Sequence, residues 1–222
     1  MDAQLLLRTK LEYLSEEGTL VETTVGAVDQ HRLSRALPIR EPRTYRNQRH
    51  YSGLFWSSTT RGHVPYESLL ELDRLWTADF DPLVSWISAQ PMWLRGRDGD
   101  QLRQHVPDFL LTGPEGKLTI VDVKPKEFIE HPRIRPVFAW TEEICAARRW
   151  RYEIWTGGDA VKLSNIKALG ATRRLALFAD RDPNLAATMP PRFVARHEAW
   201  TGRSSVNLTT PLTDAAFSTD QE

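Results

Sequence analysis

The sequence predicts an α/β fold: a mixed sheet made of an antiparallel meander plus a parallel crossover strand, flanked by helices. Three observations carry this. Apolar runs near 90–96, over 102–112 and over 117–124 are separated only by Arg97-Asp98-Gly99-Asp100 and Gly113-Pro114-Glu115-Gly116, turns short enough to join antiparallel neighbours. The stretch RPVFAWTEEICAARRW then repeats its apolar residues at helical spacing, and RYEIW follows at once. Strand, helix and strand in that order predict a right-handed crossover and a parallel partner for 117–124. Upstream, Leu69, Leu70, Leu72, Leu75 and Trp76 recur at helical spacing until Pro82, which predicts a helix over 66–79.

The remaining elements follow the same logic. Residues 1–30 alternate apolar and polar positions on either side of Ser15-Glu16-Glu17-Gly18 and read as a β-hairpin. Pro38, Pro42, Gly53, Gly62 and Pro65 punctuate the next segment, which should be mostly extended or looped. Residues after Thr156 read as short helices, and those after Trp200 as a polar, frayed tail. The expected division is therefore 1–60, a hairpin and an arginine- and aromatic-rich arm; 61–160, the core; and 161–222, a short helical extension with a polar tail.

Composition narrows the function. With 222 residues, 41% of them hydrophobic and eight of them Trp, the chain can bury one good-sized core, for which Trp140, Trp150 and Trp155 are the candidates behind the sheet. A single cysteine, Cys145, excludes an intramolecular disulfide framework and a cysteine-rich zinc site, and it reads as a buried apolar residue. No apolar run is long enough to span a membrane, and the first residues are too short and too charged in their apolar stretch for a signal peptide, so a soluble, cytoplasmic protein is expected. Basic and acidic residues balance at 29 each, so charge speaks only through its distribution. Arg32, Arg35, Arg40, Arg43, Arg46 and Arg49 face a single acid, Glu41, in that span. Interleaved with Tyr45, Tyr51, Phe55 and Trp56, this composition suits phosphate contacts and base stacking as well as an arm packed on the domain.

The chemistry concentrates in RQHVPDFLLTGPEGKLTIVDVKPKEF, residues 103–128. Alternate residues of a strand share a face, so Asp122 and Lys124 point the same way, and a hairpin of this length brings Asp108 beside Asp122. Adjacent carboxylates repel unless a cation lies between them, which outlines a divalent-metal site. Oxygen-only ligands favour Mg²⁺ or Mn²⁺ over zinc. A metal beside an ammonium group can activate water against a phosphodiester while offsetting charge on the phosphate. Asp-x-Lys alone is a weak signal, but here it ends an apolar strand, follows a hairpin, precedes a helix and lies downstream of an acidic helix carrying Glu67 and Glu71, four apart on one face. No glycine-rich phosphate loop, Gly-x-Ser-x-Gly elbow or histidine pair competes. His105 and His131 lie nearest the site and read as surface or packing residues.

That order resembles the PD-(D/E)XK nucleases, whose fold is restriction-endonuclease-like, with VPDF and VDVKP supplying the two halves of the motif. Over about residues 40–155, YRNQRHYSGLFWSSTTRGHV, YESLLELDRLWTADFDPLVSWISAQPMWL and HVPDFLLTGPEGKLTIVDVKP resemble the TnsA-like endonuclease subunits of heteromeric transposases. The resemblance implies that Glu71 is the helical catalytic acid, with Glu67 as the alternative, and that Lys124 positions the attacking water. It implies that Asp108, Asp122, the Val123 carbonyl and Glu71 ligate Mg²⁺ or Mn²⁺. Gln90 and Pro91 would fix the start of the sheet. Many members carry Glu or Gln where this chain has Asp122. Arg40, Arg43, Arg46 and Arg49 are the DNA-binding candidates.

The implied role is to hydrolyse DNA at the 5′ ends of a mobile element. The implied partners are double-stranded DNA at the transposon ends, a TnsB-like DDE transposase and a TnsC-like AAA+ ATPase. A stand-alone restriction or repair nuclease of the same fold, and an inactive nuclease-fold scaffold, are the alternatives.

Overall fold

The structure, a computed structural model, describes residues 2–40, 51–174 and 189–213. They divide into two compact units: residues 1–74 with 83–157, and residues 75–82 with 158–222. Among the described residues no helix is long and apolar enough to cross a membrane.

The first unit holds the predicted meander. Strands β1 (Lys10–Leu14) and β2 (Leu20–Thr24) form the N-terminal hairpin, turned at Gly18, whose φ of 78° suits glycine. A helix, α1 (Asp2–Arg8), replaces the strand character expected of Leu5-Leu6-Leu7. Three leucines in a row cannot alternate across a sheet, whereas one helical turn packs Leu5 and Leu6 on the core and leaves Leu7 in water. A short helix, α2 (Gln30–Ser34), follows, its first amides capped by Asp29. Within the segment expected to be mostly extended or looped, β3 (Gly53–Ser57) and β4 (Gly62–Tyr66) pair as a two-stranded hairpin.

Helix α3 (Leu69–Phe80) lies where periodicity places it, β6 (Trp93–Asp98) overlaps the strand expected near 90–96, and β5 (Trp86–Ala89) is a further strand before it. They part at Gln90, a buried non-glycine residue at φ 44°, and Pro91. The expected strand 102–112 is likewise two, β7 (Gln101–His105) and β8 (Phe109–Thr112), because Pro107 offers no N–H to continue a ladder. Then come β9 (Leu118–Val123), α4 (Arg135–Arg148) and β10 (Arg151–Trp155).

The breaks deal the strands into two four-stranded sheets, β2-β1-β6-β7 and β10-β9-β8-β5. The first is antiparallel throughout, and the second ends in the predicted parallel pair, β9 with β10. The fold is thus α/β with mixed pairing, as a restriction-endonuclease-like architecture requires. Leu11, Leu94, Leu110, Ile120, Trp140 and Ile144 meet in one core, with Trp150 and Cys145 in the same cluster. Trp155, at the end of β10, is half-buried instead.

The second unit gathers the last turns of α3, α5 (Ala160–Leu169) and α6 (Pro191–Trp200). Trp76 meets Trp200 edge to face at 6.3 Å between ring centroids. The stretch expected to fray is held in part: the Asn165 amide donates to the carbonyls of Leu208 and Thr210 and accepts from the Leu212 amide.

Candidate active site

Asp108 stands at the break between the two sheets, just before β8, and the backbone fixes it from both sides. Its amide donates to the Val121 carbonyl (3.1 Å) and its carbonyl accepts from the Gln90 amide (2.8 Å). Gln90 also accepts the Ile39 amide at 3.0 Å, so its left-handed backbone pins the start of the sheet, the role expected of the Gln-Pro pair. The Asp108 Oδ2 accepts from the Val123 amide at 2.7 Å. Among the described residues, no donor is directed at the other oxygen.

Burial holds the Asp108 carboxyl well above the ordinary aspartate range, and the nearby Asp122 and Glu71 carboxylates push it further; the Val123 amide and the Lys124 ammonium oppose them. Asp108 is therefore the point where the predicted acids and the predicted lysine act on one another.

Glu71 sits in the first turn of α3. Its carboxylate accepts from the Glu67 amide and the Ser68 hydroxyl, both at 2.8 Å, while the Ser68 oxygen accepts from the Glu71 amide at 3.1 Å. This reciprocal arrangement is close to a capping box, so Glu71 starts the helix as well as facing the site. Burial raises its carboxyl too. Glu67 pairs with Arg40 at 3.1 Å. Arg43, Arg46 and Arg49 lie outside the described residues, as does Tyr45. Lys124 follows β9 directly, its amide tied to the Trp155 carbonyl at 3.0 Å. Lys124, Val123, Glu67, Ser68 and Glu71 line one open cavity of about 470 Å³.

Asp122 is 2% exposed. The His105 Nε2 lies 2.9 Å from both of its oxygens, and the Tyr152 hydroxyl donates to Oδ2 at 2.5 Å. In the parallel register Ile154 lies beside Asp122 and Tyr152 beside Ile120, so the tyrosine and the aspartate share a face. Burial pushes the Tyr152 phenol up and keeps it a donor. From the sequence His105 reads as a surface or packing residue, and nothing there singles out Tyr152. The one signal available was the β9–β10 register, which puts an aromatic hydroxyl two positions along from the neighbour of Asp122. Tyr152→Phe is expected to destabilise the protein by about 1–3 kcal/mol, because it withdraws the hydroxyl from a buried carboxylate. Urea melts of both proteins check this; equal midpoints would show that His105 suffices.

The donor set suits a hard divalent cation. The candidates are carboxylates and one backbone carbonyl, and the crowding that raises the Asp108 carboxyl is what a cation relieves. Among the described residues no three His, Cys, Asp or Glu side chains are grouped closely enough to hold a metal. Mg²⁺ does not need three: one or two carboxylates suffice, with water and phosphate completing its shell.

Residues 81–157 match the family model described as TnsA-like endonuclease N terminal. The matched span runs from the end of α3 through β10, so it takes in Asp108, Asp122, Val123 and Lys124 and begins after Glu67 and Glu71. The resemblance seen in the motifs is thus found independently over this span. No curated protein matches the chain.

Proposed function

We propose that the protein is a Mg²⁺- or Mn²⁺-dependent DNA endonuclease that serves as a subunit of a heteromeric transposase and hydrolyses phosphodiester bonds at the 5′ ends of the element. The observation that carries this reading is Asp108, a crowded carboxyl with Glu71, Asp122 and Lys124 acting on it, inside the span that matches a TnsA-like endonuclease domain. That match and the family resemblance support DNA ends and TnsB-like and TnsC-like subunits as the partners.

Asp108 would hold the cation through its free oxygen, with the Val123 carbonyl and the Glu71 or Asp122 carboxylate beside it. When bound, Mg²⁺ or Mn²⁺ supplies Lewis acidity, offsetting the charge that develops on phosphate and making water a stronger acid. The protein groups do the rest. The Val123 amide fixes the Asp108 rotamer from one side. The Lys124 ammonium, at the rim of the open cavity, orients the attacking water and takes part of the phosphate charge. His105 and Tyr152 hold Asp122 in one orientation, a preorganisation that costs nothing at the moment of reaction.

Plasmid nicking tests the reading. Supercoiled DNA is incubated with Mg²⁺, Mn²⁺ or EDTA, using wild type and Asp108→Ala, with and without the protein encoded next to it in its genome. Cleavage that needs the metal and Asp108 is the expected result, and dependence on the neighbour marks the transposase subunit. Metal-dependent cleavage by the protein alone would instead make it a stand-alone nuclease. A second reading, an inactive nuclease-fold scaffold, is favoured by one observation: both Asp122 oxygens already have internal partners. Absence of cleavage in every arm, with no Mg²⁺ or Mn²⁺ binding by calorimetry, would establish the scaffold.

The two helical glutamates separate in the same assay. Glu71→Ala is expected to cut nicking by at least about tenfold and to lower stability by about 1 kcal/mol through the lost cap. Glu67→Ala, which releases a half-exposed ion pair, should stay within about 0.5 kcal/mol and keep activity. The reverse pattern would move the helical acid to Glu67.

A further inference from the structure

Outside the cavity at Glu71 and Lys124, the first unit carries a second, larger groove of about 890 Å³. Arg8 of α1, Lys10 of β1, Arg95 and Arg97 of β6 and Arg103 of β7 line it, and among the described residues no acidic side chain does. Two of the five are partly neutralised from its edges. Arg95 pairs with Glu12 at 3.0 Å, and Arg103 with Asp98 at 2.8 Å. Arg97 reaches only the Asp100 carbonyl, at 3.4 Å. Among the described residues, Arg8, Lys10 and Arg97 have no acidic partner.

Positive charge outweighs negative where the first two strands of the groove meet. Lys10 and Arg95 are directly opposite one another in the β1–β6 register. Like charges facing across a strand pair repel, and Glu12 answers only one of the two, so an anion lying over both strands would find Lys10 available. Leu102, 72% exposed, adds an apolar edge to the same groove.

The groove and the site are neighbours along the chain: β7 gives Leu102, Arg103 and Gln104 to the groove, and Asp108 comes shortly after β7. Strand β7 carries Arg103 and ends at His105, three positions before Asp108. Asp108 is five positions after Arg103, which is at most about 17 Å at roughly 3.3 Å per residue. One strand of a duplex advances about 3.4 Å per nucleotide, so this span corresponds to roughly five nucleotides. A nucleic-acid backbone presents repeated anions over such a span, and under the nuclease reading it is the polyanion that would reach Asp108.

We propose that this groove binds the phosphate backbone of duplex DNA on the flank of the bond presented to Asp108. It rests on the nuclease reading for the identity of that bond, and it names the surface that grips the substrate.

The test reads binding without cleavage. Fluorescence anisotropy with a labelled 30-base-pair duplex, in EDTA and over a series of salt concentrations, compares wild type with a Lys10→Glu, Arg97→Glu double variant. An Arg151→Glu variant on β10, away from the groove, is the control. The double variant should bind at least about tenfold more weakly and lower the slope of log K against log salt by about 2, one unit per lost phosphate contact. The control should stay within twofold of wild type in affinity and keep its slope.

A milder double variant, Lys10→Gln with Arg97→Gln, should show a smaller loss in the same direction and covers the case in which two glutamates unfold the sheet. Wild-type affinity and slope in both folded double variants, or an equal loss in Arg151→Glu, would overturn the proposal. So would tight, groove-dependent binding of a polyglutamate peptide with no groove-dependent binding of the duplex, which would make the surface a docking site for an acidic protein. Because no arm depends on catalysis, a protein that binds through this groove but does not nick DNA sinks the nuclease reading alone. One that nicks DNA with the groove reversed sinks the groove alone.

Discussion

Asp108→Asn is expected to lower the cleavage rate by about 10³-fold or more and, in metal-free buffer at neutral pH, to raise the melting temperature. The first effect follows from losing the carboxylate that would hold the cation, worth several kcal/mol of charge stabilisation at about 1.4 kcal/mol per tenfold. The second follows from the crowding. Burial and the neighbouring carboxylates raise the Asp108 carboxyl well above its ordinary range, so the folded state binds that proton more tightly than the unfolded state.

Folded protein then carries the extra proton between the ordinary aspartate value and the raised one, and stability falls as pH rises through that interval. Asparagine keeps an oxygen that can accept from the Val123 amide but has no charge to lose. The two proteins should melt together below about pH 3.9 and diverge above it, with the variant ahead. Relief of about 1 kcal/mol would separate them by roughly 2–4 °C in a chain of this size. Added Mg²⁺ should stabilise wild type and close the gap, because a ligand that binds only the folded state raises its stability. Calorimetry at a series of pH values, with EDTA or Mg²⁺, measures all of this. A variant that melts lower at pH 7 would show that the Asp108 carboxylate is a satisfied structural group.

The largest stability effect is expected at Trp140. Trp140→Ala should cost about 3–5 kcal/mol, a large share of the roughly 5–15 kcal/mol that holds an ordinary domain together. The indole is 2% exposed in the middle of α4, in the cluster with Leu94, Leu110 and Ile120. It passes so close to β6 that a Cβ at Gly96 would lie 3.0 Å from its ring, and a neighbourhood that tight cannot collapse freely into the void. Urea unfolding read by circular dichroism checks it. A loss under 1 kcal/mol would mean that the two sheets do not depend on this ring.

Trp140 also marks the boundary between what the chain announces and what it does not. Its burial, the helix that carries it, the amphipathic run of α3 and the strand-helix-strand order behind the β9–β10 pair are all readable along the chain. Each rests on residues a few positions apart, and side-chain direction repeats every two residues in a strand and every 3.6 in a helix. The same local logic set Asp108, Asp122 and Lys124 on one hairpin.

Three features were decided only by tertiary structure. Residues 2–8 are helical because α1 buries Leu5 and Leu6 on a core built by later strands. The run 102–112 splits at Val106-Pro107-Asp108 because its halves belong to different sheets, and sheet membership depends on strands distant in sequence. Asp122 meets His105 and Tyr152, 17 and 30 residues away, across neighbouring elements. Periodicity and turn residues state which way a side chain faces. What it faces is chosen when strands pair so as to bury their apolar sides together, and a buried carboxylate takes whichever donors that pairing delivers.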